Sequence, residues 1–215
     1  MHDYSMFDKV FWTFPTCVEA FKHCKPFVSV DGTHLFGKYG GVLLIAVAQD
    51  GNSNILTLAF PIVGSETMES WSFFLINLRQ QVTPQEGMLI VSDRSQTIKA
   101  ALRTDDSGWQ SPRAFHAYCI WHIVTNFMSR FKYAEEKRYL INTAYSPSKV
   151  GYEWYMDALR GLSQEMVDWA SRFNKEIWLQ QCDGGNWFGH MTTNLSECMN
   201  VMLNSTRYLP ISAIV

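Results

Sequence analysis

The stretch "FVSVDGTHLFGKYGGVLLIAVAQDGNSNILTLAFPIV" (residues 27–63) sets one Asp after a short apolar run, then a Gly-rich turn and two longer apolar runs. "PFVSVD" (26–31), "GGVLLIAVAQD" (40–50) and "NILTLAFPIV" (54–63) are dense in Val, Ile and Leu, so each is predicted as a strand. The "DGNS" between the last two is a hairpin turn signal. An antiparallel meander therefore opens the sheet. Asp31 closes its first strand, either as a turn residue or as an acid at the sheet's edge.

The pattern then alternates. "SETMESWSFFLINLRQQV" (65–82) offers Ser65 as a cap, acids in its first turn and apolar residues 71, 74, 75 and 78 at helical spacing. "MLIVSD" (88–93) is a fourth strand ending in Asp93, "QTIKAALR" (96–103) a helix, "PRAFHAY" (112–118) a fifth strand and "CIWHIVTNFMSRF" (119–131) a helix. The order βββαβαβα over 26–131 predicts a mixed sheet with helices on both faces. A short helix over 15–24 sits in an N-terminal lead-in (1–25), and 132–182 is helical throughout, broken at Pro147, Gly151 and Gly161. The Gly/Asn-rich "DGGNWFGH" (183–190) leads back to a final helix, 191–207, within a closing segment 183–215.

With 47% hydrophobic and 18% charged residues, the 215-residue chain can build a large core and is not a disordered polymer. A formal charge of −2 gives no bulk basic footprint for nucleic acid, although one groove can be basic in a neutral chain. Five scattered Cys form no even disulfide framework and point to a reducing compartment. No signal-peptide pattern opens the chain, and its longest clean apolar run, "VLLIAVA" (42–48), is far below the ~20 residues that span a bilayer. No membrane partner is expected.

Two strand-end carboxylates can share a divalent ion, because strands lying side by side present their ends together. Mg²⁺ takes carboxylate oxygens and keeps waters or phosphates as its other ligands. Two such ions about 4 Å apart clamp both oxygens of an in-line phosphoryl displacement. The bland reading is as well founded: Asp in "DGT" and "SDR" also serves turns, and spacing alone favours that role. Glu197, in the first turn of its helix, needs no more than the helix dipole. In "HAYCIWH", Cys119 and His122 face one way at i, i+3 like zinc ligands, with His116 nearby. No second such pair completes a four-ligand site, so a packed Cys and a hydrogen-bonded His is the favoured reading. Arg94 follows Asp93 and can meet phosphate or Asp93 itself; His190, Asn194 and Arg207 flank Glu197 as DNA-contact candidates. Most of the eight Trp fall at helical core spacing rather than on a base-stacking surface.

In order over 26–213, "DGTHLFGKYGGVLLIAVAQDGN", "AFPIVGSETMESWSFFLINL", "IVSDRSQTIKAAL", "HAYCIWHIVTNF" and "GHMTTNLSECMNVMLNSTRYLPI" resemble the plant Mutator-like element (MULE) transposase domain. The resemblance implies a ribonuclease H-like α/β fold and a DDE recombinase core (26–131) interrupted by the helical insertion (132–182) before the last catalytic helix. It places the three acids on Asp31, Asp93 and Glu197, holding two Mg²⁺ or Mn²⁺ ions, ahead of the competitors Glu66, Glu69 and Glu86. It implies metal-dependent cleavage and transfer of DNA strands, transposon ends and target as partners, a homo-oligomeric synaptic complex and a nuclear location. It also gives the CxxH pair Cys119 and His122 a structural or near-site role. Family flanks, a zinc finger and a zinc knuckle, are absent from the sequence, so a truncated copy is expected. The alternative is a domesticated, non-catalytic relative similar to the far-red-impaired-response transcription factors.

Overall fold

The computed structural model describes residues 8–36, 40–132, 134–182, 184–185, 196, 201, 203–204 and 206–209. Its centre is a seven-stranded mixed sheet. β1 (Lys9–Val10) and helix α1 (Pro15–Phe21) precede β2 (Phe27–His34), β3 (Val42–Gln49), β4 (Ile55–Ala59) and β5 (Ile62–Val63). Then come α2 (Met68–Gln81), β6 (Met88–Ser92), α3 (Gln96–Leu102), β7 (Ala114–Tyr118) and α4 (Ile120–Arg130). The strand order is β1-β5-β3-β2-β6-β7, with β4 also pairing β3. β2 is antiparallel to β3 and parallel to β6, which is parallel to β7.

Strand β3 is buried over Val42–Ala48 and every residue of β6 is buried, which accounts for unbroken apolar runs where a one-sided sheet would alternate. Val28, Val30, Leu44, Ala46 and Ile90 pack with Trp71, Phe74, Leu75 and Leu78 of α2. Phe27, Leu89 and Val91, on the opposite face, pack with Ile123 and Phe127 of α4 and with Trp169 and Trp178 of the later helical segment. That segment holds α5 (Ala134–Tyr145), α6 (Lys149–Leu162) and α7 (Gln164–Ala170), then 3-10 turns at Lys175–Ile177 and Gln180–Cys182. No helix among the described residues is long and apolar enough to cross a membrane.

Four local readings change. The first strand does not stop at Asp31: β2 continues to His34 because β3 goes on pairing with it, His34 opposite Val42. The run 54–63 is two strands, β4 and β5, since the chain breaks at Phe60-Pro61 and β3 shifts register between Ala46 and Val47. Helix α2 is capped by Thr67, whose side chain accepts from Ser70 N at 3.2 Å, in place of Ser65. Gly151 does not break α6; it lies in its first turn, its N–H donating to the Ser148 cap at 3.1 Å. Of the expected final helix, Ser196 and Val201 are helical, whereas Thr206–Tyr208 is a 3-10 turn; most of 191–207 lies outside the described residues.

Candidate functional site

Parallel pairing between β2 and β6 runs Phe27↔Leu89, Val28↔Ile90 and Ser29↔Val91. Two residues further along both segments stand Asp31 and Asp93, level with each other where β6 ends and the chain turns toward α3. Asp31 sits opposite Ile45 of β3. Its carboxylate is therefore fixed by a paired strand and opens where the β6 neighbour stops. Alternation along the pleat assigns Asp31 to the face of Phe27 and Ser29, the side covered by α4 and the later helices.

The carboxylates also do local work. Asp31 Oδ1 accepts from Gly32 N at 2.8 Å, and Asp93 Oδ1 accepts from Ser95 N at 2.8 Å, ordering the turn into α3. The turn role that spacing suggested for Asp93 is thus real, and it uses one of two oxygens.

The next position along β2 explains why one competitor stands apart. A Cβ on Gly32 would crowd Leu44 Cδ2 at 3.1 Å and would stand in ordinary contact with the Glu66 carboxyl carbon at 3.7 Å, so glycine leaves room for Leu44 and Glu66 lies close to the strand on this face. Glu66 Oε1 accepts from the Trp71 indole N–H at 3.1 Å. Glu66 consequently lies on the α2 side of β2, across the sheet from Asp31. Glu69 pairs with Lys9 at 2.6 Å and Glu86 with Arg113 at 3.5 Å.

Glu197, His190 and Asn194 lie outside the described residues. Ser196, the residue before Glu197, is described: it is helical and buried, and its hydroxyl meets the Ser29 hydroxyl at 2.9 Å. Ser29 is two residues before Asp31 in β2. Arg207 lies in the 3-10 turn Thr206–Tyr208, and its carbonyl accepts from Phe36 N at 2.7 Å, just beyond β2. Arg94 turns to aromatic rings: its guanidinium stands 4.6 Å from the Phe173 ring and 6.0 Å from Trp169. Burial lowers the Arg94 pKa against the opposing pull of Tyr118 and Asp93.

Cys119 is one residue outside α4, as its N-cap, rather than within the helix. It is buried, and its N–H donates to Ser92 O at 2.8 Å, tying α4 to β6. His122 follows in the first turn of α4. Among the described residues no three His, Cys, Asp or Glu side chains form a group that could hold an ion.

One linked group was not legible in the sequence. Ser92 Oγ donates to the Asp93 carbonyl at 2.8 Å and meets His116 Nε2 at 2.9 Å. A hydroxyl carries a single proton, so Nε2 must donate to Oγ, and Nδ1 is the bare ring nitrogen. Burial, with Lys99 and Arg103 nearby, pushes the His116 pKa down to about 4, so the ring is neutral near pH 7. The register Ile90↔His116 of β6 with β7 creates this contact, across 24 residues of sequence.

Residues 27–126 match the MULE transposase domain. The matched segment spans β2 through most of α4 and contains Asp31, Asp93, Arg94, Cys119 and His122. It points to a transposase-related function. No curated protein matches the chain.

Proposed function

We propose that the chain is the catalytic part of a Mutator-like DNA transposase, a DDE recombinase that cuts and joins DNA strands with Asp31, Asp93 and Glu197. The observation that carries the reading is the β2–β6 register, which sets two carboxylates level at one end of a parallel strand pair. Carboxylate oxygens are the donors that a hard divalent cation prefers, so Asp31 and Asp93 fit Mg²⁺ or Mn²⁺. The Ser196–Ser29 hydrogen bond supports Glu197 as the third donor, because its covalent neighbour is anchored beside Asp31 in β2. The strand arrangement supports a ribonuclease H-like fold: an antiparallel meander whose β2 pairs in parallel with β6, and β6 with β7.

Two such ions supply positive charge to the attacking and leaving oxygens of the phosphodiester. The chain's own residues fix where that charge stands. β3 holds Asp31 in register, and the Ser95 N–H orients one Asp93 oxygen. The His116–Ser92 pair holds the Asp93 carbonyl. Arg94, stacked on Phe173, connects the Asp93 turn to the helical segment. In this reading the partners are transposon ends and target DNA, bound by a homo-oligomer in the nucleus.

The test is strand nicking of a DNA duplex carrying the element's ends, in Mg²⁺ or Mn²⁺, by the full chain. Asp31→Asn and Asp93→Asn are each expected to lower the rate by about 10³-fold or more, the scale for losing a central electrostatic group. Cleavage that survives both substitutions sinks the assignment. A wild-type chain that binds DNA and neither binds Mn²⁺ nor cuts favours the non-catalytic, far-red-impaired-response-like reading.

A further inference from the structure

A cleft of about 650 Å³ opens beside edge strand β7, between α3 and the turn after α7. It lies away from the acids: His116 lines it, level with Ile90, three residues before the Asp93 level. Lys99, in the last turn of α3, and Arg103, its C-cap, line it. Two cations at a helix C-terminus are ordinarily complements of the dipole. Here they share a cavity, however, and neither pairs with Glu176, the one carboxylate among the described lining residues, or with any other described carboxylate. Lys99, Arg103 and His116 all line this one cleft. Phe115, partly exposed, adds an aromatic ring to the lining, whereas Trp109 is buried in the core behind it.

We propose that this cleft binds one nucleotide unit, its phosphate against Lys99 and Arg103 and its base against the partly exposed Phe115 ring. The size falls within the range of ligand pockets, ~300–1,000 Å³. The cations meet the phosphate charge, and an aromatic ring suits the face of any base. His116, which lines the cleft beside both cations, is held neutral by burial, so the positive charge there is that of Lys99 and Arg103. Only the choice of a nucleic-acid ligand rests on the transposase reading; the site itself stands apart from Asp31 and Asp93. The nucleotide is either free or part of a single strand, and the experiment separates the two.

Fluorescence anisotropy of a labelled thymidine octanucleotide would be followed on the full chain in EDTA, where no cleavage is possible. The double variant Lys99→Gln/Arg103→Gln, checked for folding by circular dichroism, is expected to bind about tenfold or more weakly. Its log–log salt slope should shrink by about 0.7, the value for one phosphate contact of a single strand. Glu176→Gln, which removes a repelling charge, should tighten binding. Displacement of the octanucleotide by thymidine monophosphate assigns the site to a free nucleotide; failure to displace, with the variant effects intact, assigns it to a nucleotide within a strand. Unchanged affinity in both variants overturns the proposal, as does displacement by inorganic phosphate as readily as by the monophosphate. A chain that fails to cut DNA yet passes this test loses the triad and keeps the cleft.

Discussion

His116 connects chemistry and stability in one side chain. Its ring meets Ser92 Oγ at 2.9 Å through Nε2, and burial, with Lys99 and Arg103 nearby, holds its pKa down to about 4 from 6.5. Above pH 6.5 both folded and unfolded chains carry the neutral ring, so it imposes no penalty. Below that the unfolded chain gains a proton that the folded chain refuses, and stability falls until pH reaches about 4. Discounted for the ring's partial exposure, the loss is on the order of 2 kcal/mol. Urea midpoints measured from pH 7 to pH 4 should therefore decline, and His116→Gln should flatten that decline. An equal slope in the variant would assign the pH dependence to the carboxylates alone. Gly32 is a second residue with a narrow tolerance. A larger side chain there meets Leu44 and the Glu66 carboxyl, so Gly32→Val should cost about 1–3 kcal/mol by overpacking, read as a shift in thermal midpoint.

At the scale of elements, the clasp between the Asp93–Arg94 turn and the segment after α7 makes the next prediction. Phe173→Ala removes the ring 4.6 Å from the Arg94 guanidinium, and a cation–π contact of this kind contributes about 0.5–2 kcal/mol. Amide exchange at Asp93–Ser95 should speed up in the variant while the β3 core keeps its protection. Uniform loss of protection would instead mean a general packing defect. The sequence made the long elements legible, because β3, β6 and α2 declare themselves by apolar runs and helical spacing. The end of β2 was not legible: "DGTH" has turn chemistry, and only β3 on its far flank keeps it extended to His34. β1 escaped notice for a related reason. Its two residues have no pattern of their own and owe their strand geometry to β5, Lys9 to Val63 and Val10 to Ile62. Asp31 and Asp93 could be named from the sequence because each follows an apolar run. The His116–Ser92 contact could not, since it depends on the β6–β7 register.

Across the whole molecule, one sheet separates two cores, and its central strands serve both. Ile90 faces the α2 side and Leu89 the α4 side, each fully buried. Ile90→Ala and Leu89→Ala should each destabilise the chain by about 2–5 kcal/mol. Because the strands are shared, neither core can melt alone. Far-ultraviolet circular dichroism and tryptophan emission, which samples Trp71 on one face and Trp169 and Trp178 on the other, should report one coincident transition. Two separated transitions would show that the helical segment folds independently of the sheet.

The hydrogen bond between Ser29 and Ser196 closes a loop of 167 residues, most of the chain. Contacts of such separation bear the largest closure entropy and form after local ones. Asp31 and Asp93 can thus be seated by strand pairing early, while the segment that ends in Ser196 arrives only after the intervening helices have docked. A nascent chain that has emerged only as far as β6 thus already contains both strands that bring Asp31 and Asp93 level, whereas the Ser29–Ser196 contact waits until residue 196 has been made.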